Sequence, residues 1–223
     1  MTFDRIGTVK AVKRHYDLLA RAAYLPASDI ISPPQDGWGD DDIDTAFLRD
    51  LGRSEEVIDL VRHLPYIKNE PKDDFWPIYL ESRCVSYLKN GVPMRNVPEV
   101  KRRVADPNLG DYGLMPFDQK PPPEFVCLSL DIHGISWLVD TAKGLLYPDA
   151  GIFYDHAIDA ETAEREPWRS SRAREIISYF DEVYGQIESL ALIPVPRGGN
   201  QFPSILGNTK GEFVSSHQGA KYN

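Results

Sequence analysis

Cysteine is scarce in this chain: two in 223 residues, Cys84 and Cys127, each inside a run that reads as a strand. A disulfide framework needs more cysteines in a smaller chain, so both are expected to be buried free thiols. Long apolar runs are missing as well. Nothing approaches a membrane span, and the N-terminal MTFDRIGTVKAVKRHYDLLARAAYL lacks the apolar stretch of a signal peptide. This predicts a cytoplasmic protein with no membrane contact. Positive charge is in deficit: 25 Lys and Arg stand against 34 Asp and Glu, a formal net charge of −9. That balance repels phosphate backbones and anionic membranes and argues against a nucleic-acid partner. One local exception, MRNVPEVKRR at 94–103, sets Arg95, Lys101, Arg102 and Arg103 against Glu99, and reads as a solvated loop.

Several chemical signatures are also missing. No Gly-x-Ser-x-Gly elbow is present, no P-loop, and no Gly-x-Gly-x-x-Gly after a strand; Gly198-Gly199 follows a helix and prolines. The run Asp40, Asp41, Asp42 lacks the glycine and the twelfth-position glutamate of an EF-hand loop, so its carboxylates are expected at a helix N-terminus. No cofactor is implied, and no internal repeat is visible.

What remains is an ordinary globular composition, 42% hydrophobic and 26% charged, long enough to bury its own core. Val9, Val12, Tyr16, Leu19 and Ala23 recur at helical spacing, with Thr8 as the expected cap and Pro26 past the end. A short helix is expected over 43–51. Ser54 should cap the next, SEEVIDLVRHL, whose stripe is Val57, Leu60, Val61 and Leu64, with His63 complementing the dipole in the last turn. PIYLESRCVSYL at 77–88 alternates and predicts one strand. A proline-rich connection follows over 89–123. EFVCLSLDI, ISWLVD and LLYP predict a three-strand meander, with Gly144 at a positive-φ turn position. Ile176, Ile177, Phe180, Val183, Tyr184 and Ile187, extended by Leu190, predict a closing helix, capped by Ser170 or Ser171 and ended by Pro194 and Pro196. The expected class is therefore α+β: N-terminal helices, an antiparallel β-meander, a closing helix and an irregular tail. Residues 1–196 form the domain, and 197–223 a tail or a wrapping arm.

Chemistry concentrates in a few places. Asp131 and His133 sit two apart, so in a strand both project to one face and the carboxylate can orient the imidazole. They are the candidate acid–base pair. Asp155-His156 lies about twenty residues on. Asp131, His133 and His156 have the ligand types of a metal centre, but the order Asp-x-His is not the usual His-x-Asp, and no metal is expected. Asp73 and Asp74 precede Phe75-Trp76, a pairing of acids and aromatics suited to a cationic or amine-bearing ligand. Asp73, Asp74, Trp76 and His156 are the candidate substrate-binding residues. Cys127 within FVCLSL is expected to be too buried for a nucleophile.

Leu64-Pro65, then Cys127 to Asp131, Leu138 to Asp140, and Tyr179-Phe180 follow in an order that resembles the SUKH group of domains over residues 52–192. The resemblance implies a protein-binding module with no catalytic set to carry over. Two functions are therefore expected: a non-catalytic protein-interaction module, or a small cytosolic biosynthetic enzyme using Asp131 and His133 on an amine-bearing or cationic substrate by acyl or aminoacyl transfer or cyclisation. The partner is correspondingly a protein or a small molecule.

Overall fold

An aspartate starts the first helix. In the computed structural model, which describes residues 3–68, 76–89, 121–130, 135–148, 161, 165–166, 171–196, 203–209 and 212–213, helix α1 runs over Arg5–Arg21. Asp4 accepts the Gly7 N–H at 2.8 Å. Thr8, the expected cap, is buried inside the first turn, and its hydroxyl donates back to the Asp4 carbonyl at 2.8 Å. A carboxylate three residues before a free N–H serves the same end as a hydroxyl, which is why the helix begins four residues early. Val12, Tyr16 and Leu19 are buried as their spacing predicts. Ala23 is exposed beyond the helix end, at φ +54.

Strands β1 (Ile30–Ile31) and β2 (Tyr66–Ile67) pair antiparallel. Between them lie α2 (Thr45–Asp50) and α3 (Glu55–His63). The cap of α2 is Asp44, which accepts the Phe47 N–H at 2.9 Å. Asp40 to Asp42 instead shape the preceding loop, and Ile43, expected to be helical, is fully buried and bridges to Leu88. Ser54 caps α3 through the Val57 N–H at 3.2 Å, as expected.

The main sheet has six antiparallel strands in sequential order: β3 (Pro77–Tyr79), β4 (Ser82–Cys84), β5 (Phe125–Leu130), β6 (Trp137–Asp140), β7 (Leu145–Pro148) and β8 (Arg174–Glu175). The single strand expected over 77–88 is a hairpin. Tyr79 pairs with Ser82 across Leu80-Glu81, and Glu81 takes φ +51. Alternation survives on each arm, so periodicity alone did not register the reversal. The meander β5–β6–β7 is as predicted. Asp140 closes its second turn by accepting the Lys143 N–H at 3.0 Å, and Gly144 sits at φ +66.

Helix α4 (Ile176–Glu188) begins later than its serines suggest. Arg174 and Glu175 are still paired with β7, and Glu175 then caps the helix through the Ile177 and Ser178 N–H groups at 3.2 and 2.6 Å. Leu190 does not extend the apolar stripe: it lies past the end at φ +60 and is 61% exposed. Pro194 falls in β9 (Leu192–Val195), not at the helix terminus. Of the stretch after Val195, Ser204–Thr209 and Glu212–Phe213 are described as strands. β10 (Ser204–Thr209) pairs with β9 on one side and with β11 (Glu212–Phe213) on the other, and buries Ile205.

α1 and α4 lie side by side and run in the same direction. Ile177 crowds Gly7, Arg14 pairs with Asp181, and Arg21 donates to the Tyr184 hydroxyl at 2.7 Å. Both helices press on fully buried Trp137, whose ring meets His15, Phe180 and Tyr179 edge-to-face at 5.4, 5.0 and 6.2 Å. Edge-to-face contact places each positive ring edge on a negative face.

His15 was not distinguished by the sequence. It is fully enclosed, its Nε2–H donating to the Ile78 carbonyl at 2.6 Å while Nδ1 has no partner. Burial, with Arg14 adding to it, lowers its pKa to about 4 from 6.5. The neutral form is therefore the folded form. The unfolded chain takes up a proton as pH falls through 6.5, while the folded chain resists until about 4. Stability should fall across that window by on the order of 3 kcal/mol from this group. Urea denaturation from pH 7 to pH 4 should show this loss, and His15→Leu should flatten the slope between pH 6.5 and 4.

Candidate functional site

Of the residues that the sequence marks for chemistry, Asp73, Asp74, Asp131, His133 and His156 lie outside the described residues, as does the basic segment 94–103. Trp76 is described, and so are the supports on either side of the Asp131/His133 segment.

Trp76 is half-buried and tied to an acid 47 residues away: its Nε1–H donates to Asp29 Oδ2 at 3.2 Å. Asp29 is itself half-buried, in the short 3-10 turn Ala27–Asp29 before β1. Behind the indole stands Tyr24, edge-to-face at 5.4 Å. Tyr24 is 1% exposed, and its buried hydroxyl has no hydrogen-bond partner; burial raises its pKa. The expectation of an acid beside Trp76 thus acquires a residue that the sequence did not nominate. No local signal could find Asp29, because the pairing depends on how β1 and β3 are brought together.

The Asp131/His133 segment leaves β5 after Leu130, which pairs with Arg83, and rejoins the described chain at Ile135. The return is fixed by buried hydroxyls. Ser82 and Ser129 both donate to the Ile135 carbonyl, the latter at 3.0 Å, and Ser129 also accepts the Trp137 N–H at 2.9 Å. The Ile135 N–H donates to the Leu80 carbonyl at 3.2 Å. A β-bulge between Cys127 and Ser129 frees these backbone groups from the ladder, so side chains must satisfy them.

Both thiols are free and buried. Cys127 donates to the Ser129 carbonyl at 3.0 Å, and burial pushes its pKa up to about 12. Cys84 is likewise raised by burial, against hydrogen bonds with the Tyr16 hydroxyl and the Ile67 backbone. A thiol held protonated is a poor nucleophile, which agrees with the reading of Cys127 from sequence.

A strongly acidic surface is made by the loop before α2, by α2 and by α3. Asp36, Asp40, Asp41, Asp42, Asp50, Glu55, Glu56 and Asp59 are all exposed there. Its cations are already engaged. Arg49 grips Glu55 with two bonds of 2.7 and 2.9 Å, which raises its own pKa and lowers that of Glu55. Arg62 pairs with Asp40, and Arg5 with Asp59 at 3.1 Å. Lys89 binds the Asp40 carbonyl at 2.6 Å and, through its N–H, the Asp42 carbonyl at 2.7 Å. His63 Nδ1 lies 2.7 Å from the Asp59 carbonyl. Trp38 roots the loop by donating its Nε1–H to the Leu64 carbonyl at 2.9 Å. Among the described residues, Asp36, Asp41, Asp50 and Glu56 carry no ion pair. Sequence placed Asp40 to Asp42 at a helix start but did not show that Asp40 meets Arg62 of α3.

Among the described residues no group of three or more His, Cys, Asp or Glu is arranged to hold a metal ion, and no helix is long and apolar enough to cross a membrane. Comparison with protein-family models, with curated proteins and with solved structures gave no match.

Two outcomes follow from this geometry. Ser129→Ala should destabilise the protein by about 2 kcal/mol, because a buried N–H loses its acceptor while the Ile135 carbonyl loses one of two donors; Ser82→Ala should cost less, about 1 kcal/mol. Urea melts would measure both. Ellman's reagent at pH 8 should find neither thiol in the native protein and both after denaturation, and rapid native labelling would show that Cys84 or Cys127 is accessible.

Proposed function

We propose that this chain is a non-catalytic protein-interaction module of the cytoplasm that docks a basic segment of a partner protein on the acidic face of α2 and α3. The observation that carries the reading is the state of the charges there. The arginines and the lysine of that face are spent on internal pairs and on backbone carbonyls, which hold it rigid, while Asp36, Asp41, Asp50 and Glu56 remain for a partner. A pre-ordered charged surface loses little conformational entropy on binding and speeds association with an oppositely charged segment. The SUKH-like order of Leu64-Pro65, the meander and Tyr179-Phe180 supports the same reading, since that group binds proteins.

A second reading is favoured by a different observation. The chain on either side of the Asp131/His133 segment is fixed by buried serines, beside fully buried Trp137. Rigid support of that kind suits a catalytic acid–base pair, here in a small biosynthetic enzyme acting on an amine-bearing substrate.

Fluorescence anisotropy with a labelled oligolysine peptide separates surface docking from bulk charge. Asp41→Lys with Glu56→Lys should weaken binding about tenfold, and binding should fall steeply with salt. Glu188→Lys on α4 should leave it nearly unchanged. Equal weakening by both sets would mean that only the net charge acts, and the acidic-face reading would be abandoned. A loss of turnover in Asp131→Asn and His133→Ala, in an assay of acyl transfer to amines, would instead support the second reading.

A further inference from the structure

We propose that Asp29 and Trp76 form a separate binding site for a small organic ammonium group. Three observations converge on it. Asp29 is a half-buried carboxylate that accepts the Trp76 indole N–H at 3.2 Å, and among the described residues no cation pairs with it. A neutral indole N–H compensates that charge only in part. The indole is half-exposed, and donating its N–H to a carboxylate enriches the ring face in electron density, which strengthens attraction for a cation above it. Tyr24 closes the back of the indole edge-to-face at 5.4 Å and buries its own hydroxyl without a partner. An orphaned buried hydroxyl costs stability, so this corner is not arranged for stability alone.

The chemistry selects the ligand class. A carboxylate repels anions. A divalent metal would need several oxygen ligands, and among the described residues no group of three or more His, Cys, Asp or Glu is arranged to hold one. An organic ammonium presents a positive charge with an apolar surface, and a carboxylate next to an aromatic face matches both. The site does not rest on the acidic-face reading: Asp29 and Trp76 belong to the turn before β1 and to the residue just before β3, not to α2 or α3.

The test uses the full chain labelled with ¹⁵N. The Trp76 indole N–H resonance is identified by its loss in Trp76→Phe, and tetramethylammonium chloride is titrated against sodium chloride at matched ionic strength. The expected result is a saturable shift of that resonance with tetramethylammonium and none with sodium. Asp29→Asn keeps an acceptor for the indole N–H while removing the charge, and should weaken binding about fivefold with an unchanged melting temperature. Tyr24→Phe should raise the melting temperature and leave the affinity within twofold, because the hydroxyl is sealed from the ligand. Equal shifts with both salts, or full affinity in Asp29→Asn, would overturn the proposal. Binding lost in Asp29→Asn but retained in the Asp41→Lys, Glu56→Lys variant would show the two surfaces to be independent.

Discussion

The hydrogen bond from the Trp137 indole to the Tyr179 hydroxyl, 3.0 Å long and sealed from water, joins the two halves of this protein. Trp137 opens β6 and Tyr179 lies in the first turn of α4, so one bond sets the depth at which the closing helix meets the sheet. Phe180 and His15 pack edge-on against the same ring, which brings α1 to the same point. His15 then reaches past Trp137 to the carbonyl of Ile78 and fastens α1 to β3. The helix layer is thus positioned by aromatic edges and two buried hydrogen bonds. Such directional contacts specify one arrangement where apolar burial alone would tolerate several.

The same strand organises the surroundings of the Asp131/His133 segment. Because β6 begins at Trp137, the chain before it must leave the ladder. The bulge in β5 and the hydroxyls of Ser82 and Ser129 absorb that departure. Core packing and loop support are one construction here, and a change at either serine would be felt at both.

The charged surface obeys a separate logic. Arg49, Arg62 and Lys89 neutralise part of the acidic face; Arg49 links α2 to the start of α3, while Arg62 and Lys89 tie the preceding loop to segments distant in sequence. Exposed pairs of this kind contribute little stability singly. Their effect is to fix where the remaining carboxylates point. The Asp29–Trp76 corner differs again: it is small, half-buried and built by tertiary contact between a turn and the residue just before a strand. Two surfaces with one sign of charge and different aromatic content can serve different ligands on one small protein.

Hydrophobic spacing was enough to place α1, α3, α4 and the β5–β7 meander, the buried thiols, the turn at Asp140–Gly144 and the cap at Ser54. These features depend on residues within one or two turns of each other, and local order records them. The hairpin at Leu80-Glu81 was not legible because each of its arms is only three residues long and alternation does not register the reversal. The delayed start of α4 at Ile176 was not legible because it is decided by pairing with β7, about thirty residues back. Sequence alone determined that this is an acidic α+β chain with two sealed cysteines. Only the tertiary structure decided that His15 is locked neutral beside Trp137, that Asp29 meets Trp76, and that Asp40 meets Arg62 of α3. A hydrogen bond or an ion pair between segments needs both partners brought to one place, and it is the burial of the shared core that brings them there.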